Sequence, residues 1–98
     1  MTEKKETRKI VRSYDAGVFF GEIIEQDDAN RKVVLKNARN FWSWSGANSL
    51  ATLATTGTAD PSNCRFSVEV EEITVYNVCE ILSVTAKAGE NIDGVPRW

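Results

Sequence analysis

Short apolar runs separated by polar turn formers fill the first half of the chain, a pattern typical of strands. Residues 18–26 (VFFGEIIEQ) are rich in β-branched and aromatic side chains, the polar cluster 27–30 follows, and residues 32–36 resume the strand pattern. Two such runs around a turn predict an antiparallel hairpin over 18–36. Gly21 lies inside the first run and predicts a bulge or sharp bend, because glycine weakens a regular strand.

Apolar and polar positions alternate again around two tryptophans. After a short irregular link at 37–40, Phe41 and the sequence Trp42-Ser43-Trp44 predict a third strand. Since strand side chains alternate between faces, both indoles are expected on one face and Phe41 on the other. Ile10 and Val11 are expected to begin the first ordered segment. The remaining strands are predicted over 66–75, with a break at Glu71-Glu72, and over 78–82.

Two segments place apolar residues three or four positions apart, which predicts two short helices. Asn48 or Ser49 can cap the first helix, and Gly57 is a natural stop. Ser83 or Thr85 can cap the second. The two apolar stripes are Leu50, Leu53 and Ala54, and Val84, Ala88 and Ile92.

These elements predict an α+β fold: a small, strongly bent antiparallel sheet of about five or six strands, with an N-terminal hairpin and two short helices. Residues 1–9 are mostly charged and predict a disordered N-terminal lead-in, which leaves 10–98 as a single small domain. A chain of 98 residues buries a modest fraction of its surface when it folds alone, so we expect a homo-oligomer.

The charges are segregated along the chain. The net charge of −2 argues against a protein that binds DNA or RNA over its whole surface. Residues 29–59 hold four cations and no acid, whereas residues 66–93 hold six acids and one cation. The two segments either face each other, in the fold or across a subunit contact, or the basic one faces a ligand.

The residue types present argue against several kinds of site. Without histidine the chain lacks the commonest general base, and it carries no phosphate-binding loop or dinucleotide fingerprint. Cys64 and Cys79 lack the further soft ligands of a structural zinc site, and we expect both reduced and buried. Asp27-Asp28 could ligate a hard cation, but a turn is the simpler interpretation. We therefore expect no enzyme, no cofactor and no metal.

Binding of a flat, anionic ligand suits the basic, aromatic segment better. A base or nicotinamide ring can stack on Trp42 or Trp44. Arg39 can meet a phosphate with two hydrogen bonds, and Lys36 can act as a point charge. The helix start at Asn48-Ser49 adds unpaired N–H groups that favour an anion.

Each of these residues also has a structural interpretation. The tryptophans can be core or subunit-contact residues, Arg39 can pair with a glutamate, and Asn48-Ser49 can be only a cap. Trp98 is expected to dock on the body of the protein or on a neighbouring subunit. Asn91 and Arg97 can line a site shared between chains.

Seven stretches of the sequence form a distinctive set: YDAGV (14–18), VVLKNAR (33–39), FWSWSGANSLATLA (41–54), CRFSV (64–68), EI (72–73), SVTAKA (83–88) and VPRW (95–98). In these stretches the chain resembles a family of short proteins encoded by bacteriophages and prophages, for which no biochemical function is assigned. Members often carry a second cation after the arginine, where this chain has Asn40.

The resemblance implies a viral protein in the cytoplasm of a bacterial host, in agreement with the lack of a secretory signal or membrane span in the sequence. Small proteins of this kind often bind host molecules or signalling nucleotides of antiviral defence. We therefore expect a non-enzymatic sponge for a cyclic or ADP-ribose-like immune messenger. The alternative is a structural or host-protein interaction module that uses the same Trp and Arg residues.

Overall fold

The computed structural model describes residues 6–98. It contains six strands and two α-helices, which confirms the predicted α+β fold. The strands are β1 (Lys9–Ser13), β2 (Gly17–Asp27), β3 (Lys32–Ser43), β4 (Arg65–Phe66), β5 (Val70–Val75) and β6 (Val78–Ser83). The helices are α1 (Leu50–Thr55) and α2 (Ala86–Asp93), and a single 3-10 turn spans Pro61–Asn63.

The strands form one antiparallel sheet organised on β3. With 12 residues, β3 is long enough to pair with β2 along one side and with both β5 and β4 along the other. β1 pairs with β2 and with β6. Only Tyr76 and Asn77 separate β5 from β6, although the two strands lie at opposite edges, so the sheet must curl to bring its edges together. The strongly bent sheet predicted from the sequence is thus confirmed.

The N-terminal hairpin of β2 and β3 is confirmed, together with the irregularity predicted at Gly21. The pairing register shifts between Phe20 and Glu22. A Cβ atom at Gly21 would lie 3.0 Å from the carbonyl oxygen of Lys36, which is closer than most side chains tolerate. Glycine lets the two backbones approach here and gives the sheet part of its bend.

Several predicted boundaries need correction. Residues 37–40 are not a link but part of β3, because Asn37 takes a left-handed conformation (φ 51°) within a strand that continues past it. The strand predicted over 66–75 breaks at 67–69 rather than at Glu71-Glu72. Of the predicted lead-in, residues 1–5 lie outside the described part of the chain and Lys9 already belongs to β1.

Buried side chains cover both faces of the sheet centre, because alternate residues of β1 and β2 point to opposite sides. Ile10 and Phe20 face the helices, in a cluster completed by residues such as Phe66 and Ile92. The second cluster is made only of strand residues: Val11, Phe19, Val33, Leu35, Ala38 and Val75. Burial on both faces makes the sheet a rigid frame for the loops at its ends.

Both helices begin where the sequence predicts. The Ser49 hydroxyl accepts a hydrogen bond from the Thr52 N–H at the start of α1, and the Thr85 hydroxyl accepts one from the Ala88 N–H at the start of α2. α1 stops before Gly57, which takes a left-handed conformation (φ 81°). Within residues 6–98, no helix is long and apolar enough to cross a membrane.

Candidate functional site

Two tryptophans and an arginine form an exposed cluster at one edge of the sheet. The Trp42 side chain is 67% exposed and that of Trp98 is 62% exposed. Their rings are stacked, with centroids 6.0 Å apart and planes inclined by 27°. The Arg65 guanidinium carbon lies 5.5 Å from the Trp98 ring centroid, within cation–π range. Trp42, Trp98 and Arg65 are called the aromatic patch below.

Strand alternation and one backbone hydrogen bond bring the patch together. Phe41 pairs with Phe66 in register, and their rings stack in the core with centroids 3.9 Å apart. The neighbours of these two residues, Trp42 and Arg65, therefore turn outward. The backbone N–H of Trp98 donates to the Phe66 carbonyl over 3.0 Å, which places the third member beside the first two.

Trp44 does not join Trp42, contrary to the expectation that both indoles share a face. β3 ends at Ser43, and the chain turns away at Gly46, which has a φ of 78°. Trp44 is instead half-buried and packs against the core cluster that contains Phe41. The strand alternation that supported the prediction does not extend to Trp44, because the strand stops first.

Arg39 is buried, and this corrects the expectation that its guanidinium meets a phosphate. Its side chain is 1% exposed. Its Nε donates to the Ser67 carbonyl over 2.7 Å. The guanidinium Nη atoms donate to four further main-chain carbonyls, those of Phe66, Ile92, Val95 and Pro96. A ligand cannot reach these donors without breaking the fold.

The Arg39 charge is balanced chiefly by carbonyl dipoles. Burial lowers the pKa of Arg39, and the nearby Arg97 lowers it further, while Glu69 and Asp93 act in the opposite direction. The guanidinium stays protonated, because arginine does not lose its proton in proteins. Ile92 lies in the last turn of α2, whose carbonyl end is the negative end of the helix dipole. Arg39 thus stabilises the end of α2 and the segment after it.

A polar cleft of about 460 Å³ lies next to Arg39. Arg97 lines it and donates to both carboxylate oxygens of Glu69, over 2.9 and 2.7 Å. This pairing lowers the pKa of Glu69 and raises that of Arg97. The other lining residues are Arg8, Phe20, Asn37 and Asp93.

Arg8, the third arginine of the cleft, also pairs with carboxylates. Arg8 donates two hydrogen bonds to Asp93, over 2.6 and 2.9 Å, and two to Glu6. The pKa of Glu6 is lowered by these bonds from Arg8. The Arg8 guanidinium also lies over the Phe20 ring, 4.6 Å from its centroid. The three arginines of the cleft are therefore already engaged, Arg8 and Arg97 by carboxylates and Arg39 by backbone carbonyls.

The structure separates the other predicted site residues from the aromatic patch. Lys36 is exposed and lies between Glu22 of β2 and Glu72 of β5, so part of the basic segment does face the acidic one. Asn48 is exposed, and Ser49 is the cap of α1, as the structural interpretation had it.

Asn91 has a structural role. Its Oδ1 accepts a hydrogen bond from the Thr58 N–H over 2.8 Å, and its Nδ2 donates to the Thr58 carbonyl over 2.9 Å. The side chain thus ties α2 to the loop after α1. Of the eight ligand residues predicted from the sequence, only Trp42 belongs to the patch, and the sequence prediction missed Arg65 and the exposed indole of Trp98.

The cysteines differ from each other. Cys64 is buried, as expected, whereas Cys79 is exposed on β6, and both are free thiols. Asp27 ends β2 and accepts hydrogen bonds from Asn30 of the following turn, which lower its pKa. Within residues 6–98, no group of three or more Cys, Asp or Glu side chains is placed to hold a metal ion.

Comparison with known proteins identifies a family but no activity. A family model described as a domain of unknown function, DUF6948, matches residues 6–92. The match includes Arg39, Trp42 and Arg65 and ends before Trp98. No curated protein and no solved structure matches this chain.

Proposed function

This chain belongs to the DUF6948 family, a domain of unknown function, and on that premise we propose that it is a non-enzymatic binding protein for a nucleotide-type ligand. The aromatic patch is the proposed site. The base lies against Trp42 and Trp98, and a phosphate meets Arg65.

The stacked, exposed pair of indoles carries this proposal. Trp42 and Trp98 each keep about two thirds of their surface in solvent, although tryptophan is one of the most costly side chains to leave there. A base stacked on an aromatic side chain contributes roughly 1–3 kcal/mol to binding. A flat ring that covers this pair therefore gains stacking energy and removes apolar surface from water.

Arg65 supports an anionic ligand. It is exposed, and within residues 6–98 the ion-paired arginines are Arg8, Arg12 and Arg97, so Arg65 has no carboxylate partner there. A guanidinium binds phosphate oxygens with two parallel hydrogen bonds. Arg65 takes the role that the sequence assigned to Arg39.

The biological setting is part of the proposal. We place the protein in the cytoplasm of a bacterial host, as a bacteriophage product assembled from several copies, with a cyclic or ADP-ribose-like immune messenger as its ligand. Such a sponge acts by mass action. When it is more abundant than the messenger and binds it tightly, it holds the messenger's free concentration below the threshold of the host receptor.

A panel of linear and cyclic nucleotides, added to the full chain, tests the proposal. We expect at least one to raise the melting temperature and to quench tryptophan fluorescence, because ligands that bind the folded state stabilise it. Trp42→Ala and Arg65→Ala should abolish both effects. Tyr76→Ala and Arg12→Ala are matched controls, since both residues are exposed and neither belongs to the patch.

The fate of the ligand separates binding from catalysis. Heating the complex and analysing the released nucleotide by chromatography should return it unchanged. A chemically altered nucleotide would show that the protein is an enzyme. If no nucleotide shifts the melting temperature of the wild type, the proposal is wrong.

A protein-interaction module is the second candidate function, and the openness of the patch favours it. Trp42 and Trp98 line a surface rather than the polar cleft. Tryptophan and arginine are the residues most enriched at the energetic centres of protein interfaces. In that case a host or virion protein should be retained by the wild type and lost in Trp42→Ala, and nucleotides should have no effect.

A further inference from the structure

Arg39 holds residues 95–98 through main-chain oxygens alone. Its Nη2 donates to the carbonyls of Val95, over 3.0 Å, and Pro96, over 3.2 Å. Its Nη1 donates to the carbonyl of Ile92 over 2.9 Å. Because every acceptor is a backbone carbonyl, these contacts do not depend on which side chains the segment carries.

The carbonyl of Phe66 connects Arg39 directly to the aromatic patch. It accepts one hydrogen bond from the Nη2 of Arg39, over 3.2 Å, and another from the backbone N–H of Trp98, over 3.0 Å. Phe66 is also the residue paired in register with Phe41, the neighbour of Trp42. The same oxygen atom therefore determines where both Arg39 and the Trp98 backbone lie.

The Trp98 indole has few other contacts that could hold it. The side chain is 62% exposed, and its ring contacts are the similarly exposed Trp42 and the exposed Arg65. Ordering a segment of irregular backbone costs conformational entropy at each residue, and an exposed ring recovers little of that cost. The 95–98 segment is therefore held by contacts other than the Trp98 ring. The Val95 side chain is buried in the core, and Arg97 pairs with Glu69. Arg39 adds hydrogen bonds to the backbone carbonyls of Val95 and Pro96.

We infer that Arg39 is the positioning residue of the aromatic patch, holding the 95–98 segment so that Trp98 stacks on Trp42. The inference rests on the proposed function only for what the pair binds. The placement of the two rings can be measured without any ligand.

Indole N–H signals of the full-length, ¹⁵N-labelled chain test this placement, because the protein has three tryptophans and each gives one cross-peak. Trp98→Ala defines where the Trp42 cross-peak lies when the neighbouring ring is absent. In Arg39→Lys we expect the Trp42 cross-peak to move toward that position, since one ammonium cannot serve the carbonyls that the guanidinium reaches. The Trp44 cross-peak should stay, because Trp44 packs on the core.

Arg12→Lys is the matched control, because it makes the same substitution on an exposed arginine of β1 and should move none of the three cross-peaks. A folded Arg39→Lys whose Trp42 cross-peak coincides with that of the wild type would overturn the inference. A loss of stability alone would not move one indole signal selectively, so this measurement separates positioning from general stabilisation.

If Arg39→Lys does not fold, the inference can be tested on the wild-type protein. The Arg39 Nε–H is donated to the Ser67 carbonyl and is buried, so its exchange with water should be slow. In a urea titration of the wild type, we follow two signals: the protection of the Arg39 Nε–H from exchange with water, and the position of the Trp42 cross-peak. The protection should be lost at the urea concentration at which the Trp42 cross-peak reaches the position that it has in Trp98→Ala. Movement of the Trp42 signal while Arg39 stays protected would contradict the inference.

A binding measurement then connects the positioning role to the proposed function. Arg39→Lys and Trp98→Ala should weaken nucleotide binding by a similar factor, on the order of ten-fold for one lost stacking partner. If the wild type binds no nucleotide while the cross-peaks behave as expected, the proposed function fails and the positioning role stands. If Trp98→Ala weakens binding and a folded Arg39→Lys does not, the positioning role fails and the proposed function stands.

Discussion

Replacing Asn91 by alanine should destabilise the fold, although the sequence placed this residue in a ligand site. Its side-chain amide makes two hydrogen bonds to the backbone of Thr58, one as acceptor and one as donor. Thr58 is only 4% exposed, so water cannot easily replace the lost partners. Asn91→Ala therefore leaves a buried N–H and a buried carbonyl without hydrogen bonds.

The size of the effect follows from the cost of those two groups. A buried polar group that loses its partner costs about 1–3 kcal/mol. Allowing for some relaxation of the loop, we expect Asn91→Ala to lower the free energy of unfolding by about 2–4 kcal/mol. For a domain of this size that corresponds to a fall in melting temperature of roughly 10–30 °C.

Urea unfolding followed by tryptophan fluorescence measures this loss, with Asn48→Ala as the matched control. Asn48 is exposed and makes no side-chain hydrogen bond within residues 6–98, so its replacement should change little. If Asn91→Ala lies within about 0.5 kcal/mol of the wild type, the range of ordinary surface substitutions, the structural role assigned to Asn91 is wrong.

Asn91→Asp tests the same contact through pH. An aspartate keeps the acceptor for the Thr58 N–H, but at neutral pH its second oxygen faces the Thr58 carbonyl and repels it. The carboxyl pKa should therefore be raised in the folded state. Protonation restores a donor, so the variant should approach the wild type in stability at acid pH and lose that stability as the pH rises through the raised pKa.

Three further predictions concern other parts of the fold, each measured as the change in urea midpoint against the wild type. Gly57→Ala should destabilise by about 2 kcal/mol or more, because Gly57 has a φ of 81° and a Cβ there would overlap the Asn91 side chain; an unchanged midpoint would contradict the geometry of this loop. Thr85→Ala should cost about 1 kcal/mol through loss of the α2 cap, whereas a stable variant would mean that the cap contributes nothing. The pKa of Glu6 is lowered by Arg8, so the stability that Glu6 adds over Glu6→Gln should be present above its ordinary pKa and disappear as the pH falls through the lowered one; a difference independent of pH would argue against the pair.

Elements with local signals were predictable from the sequence. The hairpin over 18–36 and the caps Ser49 and Thr85 each depend on residues within a few positions of one another, and the structure confirms them. The 37–40 link was wrong because Asn37 adopts a left-handed conformation inside a strand whose pairing with β5 continues on both sides of it. Composition alone does not distinguish such a residue from a turn.

The site was harder to predict because its contacts are remote in sequence and made by the backbone. Arg39 finds its acceptors 27 to 57 residues further along the chain, and all of them are carbonyls, which any residue type offers. Trp98 was expected to dock on the body of the protein or on a neighbouring subunit. Its backbone does bond to Phe66, while its indole stays in solvent against Trp42. No pattern of residue types in the sequence predicts that the backbone of Trp98 is held while its indole stays exposed.

A titration of the ¹⁵N-labelled chain with nucleotides, followed through the three indole cross-peaks, tests the central claim most directly. Binding at the aromatic patch should shift the Trp42 and Trp98 signals together and saturably, leave the Trp44 signal in place, and disappear in Arg65→Ala. A nucleotide that stabilises the protein while the Trp42 and Trp98 signals stay fixed, or that shifts only Trp44, would show that the ligand binds elsewhere.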